Sequence, residues 1–279
     1  MINVKELLTV KHEASLAFVD YSHKTNNFGR DVVSIELDSS DFLYVGFRKP
    51  INAFYFNHTS TYENEAVLSL EVYNGTSWVE ASGKADDTLG LKRSGFIKFD
   101  RDQVGQVSHT VDGSNLYWYR LSVSEAREEL KIEGINLVFA DDYELMLEQP
   151  YITLPEFLGK IATTTHILIH AACRNEIMQC FRNKDYYKMS NGVKEDINAW
   201  DLLDIEEIRQ AAVYLAMSKI YFNMSDANDD VWANKSYEYR TLYTKMIQVA
   251  SLSLDVNDDG VVTSNENKPP KINSTFMSR

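Results

Sequence analysis

Cysteine and proline are both scarce in this chain, with two of the first and five of the second among 279 residues. Cys173 and Cys180 lie seven residues apart in a segment of helical periodicity. At ~1.5 Å of rise per residue their Cα atoms would be about 10 Å apart, beyond the ~7 Å that a disulfide spans. Free thiols are expected, as in a protein made in a reducing cytoplasm. No apolar run reaches membrane-spanning length, and the N-terminal MINVKELLTVKHEASLAF is charged throughout, without the apolar stretch of a secretory signal. Cations are also in short supply: the net charge is −13 and Lys and Arg nowhere cluster, so tight nucleic-acid binding is not expected. The chain has no GxSxG elbow, phosphate loop, dinucleotide fingerprint or HExxH helix, and no enzymatic activity is expected.

What the chain does have is a change of period. From about Val32 to Phe139 apolar and polar residues alternate, with turn signals roughly every ten residues, which reads as antiparallel β-structure. In AVLSLEVYNGTSWVE, Leu68, Leu70 and Val72 share a face, and Asn74-Gly75 is a dipeptide that tight hairpins favour through positive φ. VDGSNLYWYRLSVS repeats the device with Asp112-Gly113, after which Tyr117, Tyr119, Leu121 and Val123 alternate with Leu116, Trp118, Arg120 and Ser122. Strands so numerous and alternating suggest two packed antiparallel sheets, a β-sandwich over residues 1–145. Its rings, Tyr44, Phe47, Phe54, Tyr55, Phe56, Trp78, Trp118 and Tyr119, are expected mostly in the core, because strand alternation already accounts for them. An exposed aromatic platform would instead suit sugars.

Residues 146–254 follow a helical period. Thr153, Pro155 and Glu156 form a helix start with a capping box, and helices are expected over Thr165–Phe181, from about Asp204, and after Asp230. In the second of these, Ile205, Ile208, Ala212, Leu215 and Ala216 form one stripe and Val213, Met217, Ile220 and Met224 another. Such a helix is central in a bundle or wedged in an oligomer. The last places Trp232, Tyr239, Tyr243, Met246 and Ala250 along one seam. The fold class is therefore α+β and multidomain, a β-sandwich followed by a helical bundle.

Residues 255–279 hold an acidic loop and a basic tail. DVNDDGVVTSNE has the spacing of a twelve-residue calcium loop: Asp255, Asn257 and Asp259 supply oxygens, Val261 a carbonyl, Thr263 a contact through water and Glu266 a two-oxygen carboxylate, with Gly260 at the sharp turn. Pro269 and Pro270 bar an exiting helix, so a bound Ca2+ would act as a static brace. The following NKPPKINSTFMSR carries Lys268, Lys271 and Arg279 without an acid, and Ile272, Phe276 and Met277 are its apolar anchors for a partner's groove.

Two weaker clusters are read as structural. His166, His170 and Cys173 fall on one helical face at ligand spacing, but no fourth ligand is evident and packed histidines are usually hydrogen-bonded. Glu144, Glu148, Glu206 and Glu207 are expected to be solvated helix ends.

Two resemblances bear on function. The runs FLYVGFRKPINAFYF, LSLEVYNGTSWVE, SGFIKFD and LYWYRLSVS are similar to discoidin-like or jelly-roll modules of tailed-bacteriophage structural proteins. INAWDLLDIEEIRQAAVYLAMSKIYFNM, DDVWANKSYEYRTLYTKMIQ and SLDVNDDG resemble head-to-tail connector (adaptor) proteins of the phage neck. That resemblance implies a homo-oligomeric ring beneath the portal protein, joined to tail or neck proteins, with helices facing neighbouring copies and residues 267–279 inserted into portal grooves. It implies a virion location, with assembly in the host cytoplasm. The competing expectation is a glycan-binding virion or tail-fibre module.

Overall fold

The computed structural model describes residues 8–15, 17–26, 32–60, 62–101, 103–152, 154, 165–184, 186–190, 193–202, 204–225, 231–250, 252–254 and 267–268. The chain divides into two compact units, Met1–Leu137 and Val138–Arg279. Antiparallel sheets make up the first and helices dominate the second.

Two sheets organise the first unit. Strands β1 (Thr9–Ala14), β2 (Ala17–Asp20), β4 (Phe42–Phe47), β6 (Leu68–Tyr73), β7 (Trp78–Glu80), β10 (His109–Val111) and β11 (Ser114–Val123) form a seven-stranded sheet in the order β2-β1-β4-β11-β6-β7, with β10 paired to β11. Strands β3 (Val33–Leu37), β5 (Ala53–His58), β8 (Ala85–Asp86), β9 (Gly95–Lys98) and β12 (Arg127–Asn136) form a five-stranded sheet in the order β3-β12-β5-β9-β8. A one-turn helix α1 (Ser22–Thr25) follows β2. Every pairing is antiparallel, and β6 buries Leu68, Leu70 and Val72 on alternate positions, as its sequence expects.

The two hairpin signals differ in outcome. Val111 pairs with Ser114, so Asp112-Gly113 is a two-residue turn, and both residues have positive φ (43° and 78°). Tyr73 instead pairs with Trp78, leaving a four-residue loop in which only Gly75 has positive φ. There the Asn74 side chain makes the turn, its Oδ1 accepting from the N–H groups of Thr76 and Ser77.

Both faces of the seven-stranded sheet carry apolar rings. On one, Tyr119 meets Phe99 at 4.6 Å between ring centres, and its hydroxyl bonds the N–H and carbonyl of Ile51. On the other, Tyr44, Val111 and Trp118 are buried, with Phe18, Phe42, Trp78 and Leu116 packed against them. Trp118 fits because its cross-strand partner is Gly46, where a Cβ would lie 2.5 Å from the indole. Buried Lys11 fastens the β10–β11 turn over this face through the Asp112 carbonyl and carboxylate and the Val111 carbonyl.

The second unit holds α2 (Asp142–Glu148), α3 (Ile167–Asn183), α4 (Glu206–Met224) and α5 (Val231–Val249), with a hairpin of β13 (Tyr187–Ser190) and β14 (Val193–Asp196) between α3 and α4. Helix α2 starts earlier than the change of period indicates, because Asp141 accepts from the N–H of Tyr143 and of Glu144 while Glu144 accepts from that of Asp141. The helix start expected at Thr153, Pro155 and Glu156 lies outside the described residues.

Helix α4 takes the central of its two expected positions. Ile208, Ala212, Leu215 and Ala216 from one stripe and Val213, Met217 and Ile220 from the other are all buried. The chain itself therefore covers most of that helix's girth, each large side chain contributing ~2 kcal/mol of burial. Close approach of α4 and α5 is set by small residues: Ser236 donates to the Ser218 carbonyl at 2.8 Å. Tyr221 stacks on Trp232 and Tyr239 beside them.

Candidate functional site

The acidic-loop residues Asp255, Asn257, Asp259, Val261, Thr263 and Glu266, and the tail residues Ile272, Phe276 and Met277, lie outside the described residues. The neck of that loop is described. Leu252–Ser253 (β15) pairs antiparallel with Asn267–Lys268 (β16), Leu252 opposite Lys268 and Ser253 opposite Asn267. Leu254 makes a bridge to Leu202. Glu207 holds the neck to the start of α4, its carboxylate accepting from the N–H of Ser253 at 2.7 Å and from the hydroxyl at 2.8 Å. The two ends of the segment thus meet at a base anchored to the helices.

Glu207 corrects the expectation that the acids are merely solvated helix ends, and Glu144 corrects it further. Glu144 faces Arg209 at 3.3 Å and bonds the Asp141 N–H at 2.7 Å. Burial, then hydrogen bonding to and repulsion from Asp141, push its carboxyl up to about 8. The sequence hides this because Arg209 arrives from a distant helix.

The histidine cluster is hydrogen-bonded structure. His166 precedes α3, its Nε2 donating to the Ile152 carbonyl at 3.0 Å and its backbone N–H to the Asp142 carboxylate. His170 Nε2 lies 3.0 Å from Asp142 Oδ1. Burial alone would raise the Asp142 carboxyl, but the hydrogen bond and charge of His170, with His166, outweigh it and hold it below its ordinary value. Both cysteines are free, and burial pushes the Cys173 thiol up to about 12. Among the described residues no three His, Cys, Asp or Glu side chains converge as a metal group.

Of the eight rings singled out in the first unit, seven are buried and Trp78 is half-buried. The outer-face rings meet edge to face, Tyr44 against Trp118 at 90° and against Trp78 at 70°, so they interlock and do not form one flat platform. The Arg120 guanidinium rests on Phe42 and Trp78, 4.2 and 4.6 Å from their centres, while bonding Glu71.

The surface feature that sequence reasoning missed lies among the helices. A groove of about 680 Å³ runs between α3, α4 and α5, lined by Leu168, Ala172, Phe222, Ala233 and Tyr237 with Lys219 and Arg240 at its polar edge. Leu168, Phe222 and Tyr237 are 46%, 69% and 76% exposed. Lys219 and Arg240 each hold Glu176 at 2.7 Å. A concave apolar surface with charged margins is of the kind that packs against protein. Phe222 and Tyr237 fall outside the apolar stripes that periodicity picks out, and their exposure follows from how the three helices meet.

No known family's model matches this chain, and no curated protein matches it. A solved structure described as CpGH89CBM32-6 produced by Clostridium perfringens is similar to it with 14% identity and a TM-score of 0.30, covering 48% of this chain and 94% of that one. A likeness of that size carries no argument about function.

Proposed function

We propose that this chain is a non-enzymatic structural protein of a tailed-phage virion, a head-to-tail connector (adaptor) whose copies form a ring joining the portal to the tail. In this reading residues 1–145 are a separate β-sandwich module on the outside of the ring, residues 146–254 a helical bundle facing neighbouring copies, and Ile272, Phe276 and Met277 the anchors of an arm seated in a portal groove. The observation that supports it best is the apolar groove between α3, α4 and α5. The girth of α4 cannot serve as the ring contact, since the chain covers it, and the exposed Leu168, Phe222 and Tyr237 supply an apolar surface in its place. The paired neck at Leu252–Ser253 and Asn267–Lys268 would aim the arm, and a Ca2+ ion held by Asp255, Asn257, Asp259, Val261, Thr263 and Glu266 would brace the loop.

The test is binding of the full chain to isolated portal rings. Saturation at a fixed whole-number ratio, lost on removing residues 267–279, is the expected result, and an absence of binding refutes the connector role. Calorimetry with millimolar Ca2+ tests the brace separately, and a flat titration removes the metal.

A second reading, glycan binding by the first unit, draws on the half-buried Phe42 and Trp78 with Arg120 laid across them. It expects the full chain to retain a glycan on an array and a Trp78→Ala variant to lose it.

A further inference from the structure

The helical unit exposes a second apolar surface besides the groove. On α2, Tyr143, Met146 and Leu147 occupy i, i+3 and i+4 positions and are 58%, 42% and 69% exposed, whereas Leu145 alone of that helix's apolar residues is buried. Helix α2 lies along the N-terminal half of α4, where Glu144 meets Arg209. The groove opens at the C-terminal half, around Phe222. Phe222 lies thirteen positions beyond Arg209, about 20 Å along the helix axis at its ordinary rise. Tyr143 and Leu147 border a hollow of about 310 Å³ with Arg209, Gln210 and Val213, less than half the size of the groove, so the two surfaces differ in shape.

Their charges are opposite. On α2, Asp142 is held by His170 and Glu144 faces Arg209, which leaves Glu148 as the acid with no ion pair among the described residues. The groove's described lining includes Lys219 and Arg240, which share the single carboxylate of Glu176 and so leave one positive charge in excess.

We infer that the groove between α3, α4 and α5 receives α2 of a second copy of this chain, Tyr143, Met146 and Leu147 entering between Leu168, Phe222 and Tyr237 while Glu148 approaches Lys219 or Arg240. This rests on the ring reading and specifies its contact. Two different surfaces meeting across the length of the same helix make a head-to-tail contact, which leaves each joined copy with one surface still open and gives a ring where the rotation between copies closes. Two-fold pairing through a single self-complementary patch would not.

The experiment compares the full chain with Leu147→Asp and Phe222→Asp by native mass spectrometry, with thermal unfolding to confirm that both variants fold, as these exposed positions lead one to expect. The wild type should form multimers. Each variant alone should be monomeric, its self-association weakened at least tenfold. Mixed in equal amounts, the two should give a discrete 1:1 dimer, because the intact groove of the Leu147→Asp chain accepts the intact α2 of the Phe222→Asp chain and the remaining surfaces are spoiled. If an aspartate variant melts early, Leu147→Ser and Phe222→Ser are compared in the same way. A monomeric wild type, or a mixture that yields no dimer, overturns the inference. Multimers untouched by both substitutions overturn it too while leaving the ring reading in place, and a wild type that neither self-assembles nor joins portal rings removes both.

Discussion

Gly46→Ala is the most demanding test of the first unit. The new Cβ would lie 2.5 Å from Cε3 and Cζ3 of Trp118 and 2.9 Å from Cδ2, against the ~3.5–4.0 Å of an ordinary carbon contact. The ring would have to retreat by about 1 Å, and it has little freedom to do so. Its Nε1 donates to the His109 carbonyl at 2.9 Å, Tyr44 meets it edge-on at 6.2 Å, and it is wholly buried. Relief must come from parting β4 and β11, which pair at these two residues. Overpacking of this kind costs ~1–3 kcal/mol, and loss of the indole hydrogen bond adds ~1 kcal/mol. For a unit of this size ~3 kcal/mol corresponds to a melting temperature lower by about 10 °C. Gly113→Ala is the control: nothing lies within 4 Å of its Cβ and only its φ of +78° resists a side chain. That strain costs about 1–2 kcal/mol. Calorimetric melting with near-ultraviolet circular dichroism of the indole compares the two. A Gly46→Ala protein melting within 2 °C of wild type, roughly the resolution that separates these costs, would refute the packing argument.

Three further outcomes are expected. Because burial raises the Glu144 carboxyl from 4.5 to about 8, the unfolded chain ionises there before the folded one does, and this residue's contribution to stability falls as pH rises between those values. Glu144→Gln, neutral throughout, should flatten that part of the stability profile measured by urea titration at several pH values; an unchanged slope would mean that Glu144 is ionised in the fold. A thiol reagent at pH 8 should modify half-buried Cys180 while Cys173, buried and raised to about 12, reacts only on unfolding, so two fast-reacting thiols in the native protein would contradict the placement of α3. Glu207→Ala deletes both acceptors of Ser253 and should free the loop neck by ~1–3 kcal/mol, seen as faster amide exchange at Leu252–Leu254, with unchanged exchange counting against the anchor.

How much of this was legible in the sequence depends on the range of the forces involved. Local signals were readable: the alternation of Leu68, Leu70 and Val72 marked β6, Asp112-Gly113 marked a two-residue hairpin, and the stripes of α4 marked a helix surrounded by protein. The β13–β14 hairpin was not, since Tyr187–Ser190 and Val193–Asp196 are short and polar and show no clear period. Asn74-Gly75 misled in detail because the Asn74 side chain closes a longer loop than the dipeptide suggests. Partners remote in sequence hid the roles of Glu144 and Glu207, which Arg209 and Ser253 define. The groove was least visible of all, since periodicity shows which residues can be buried, whereas the meeting of three helices decides that Phe222 and Tyr237 stay exposed.

The ring assignment is tested most directly by the mass of the full chain after mixing with portal rings. One discrete species is expected, a portal ring bearing a complete circle of copies, with that circle absent when both Leu147 and Phe222 are replaced by aspartate. Free 32.0 kDa chains beside bare portal rings at every ratio tried would contradict it.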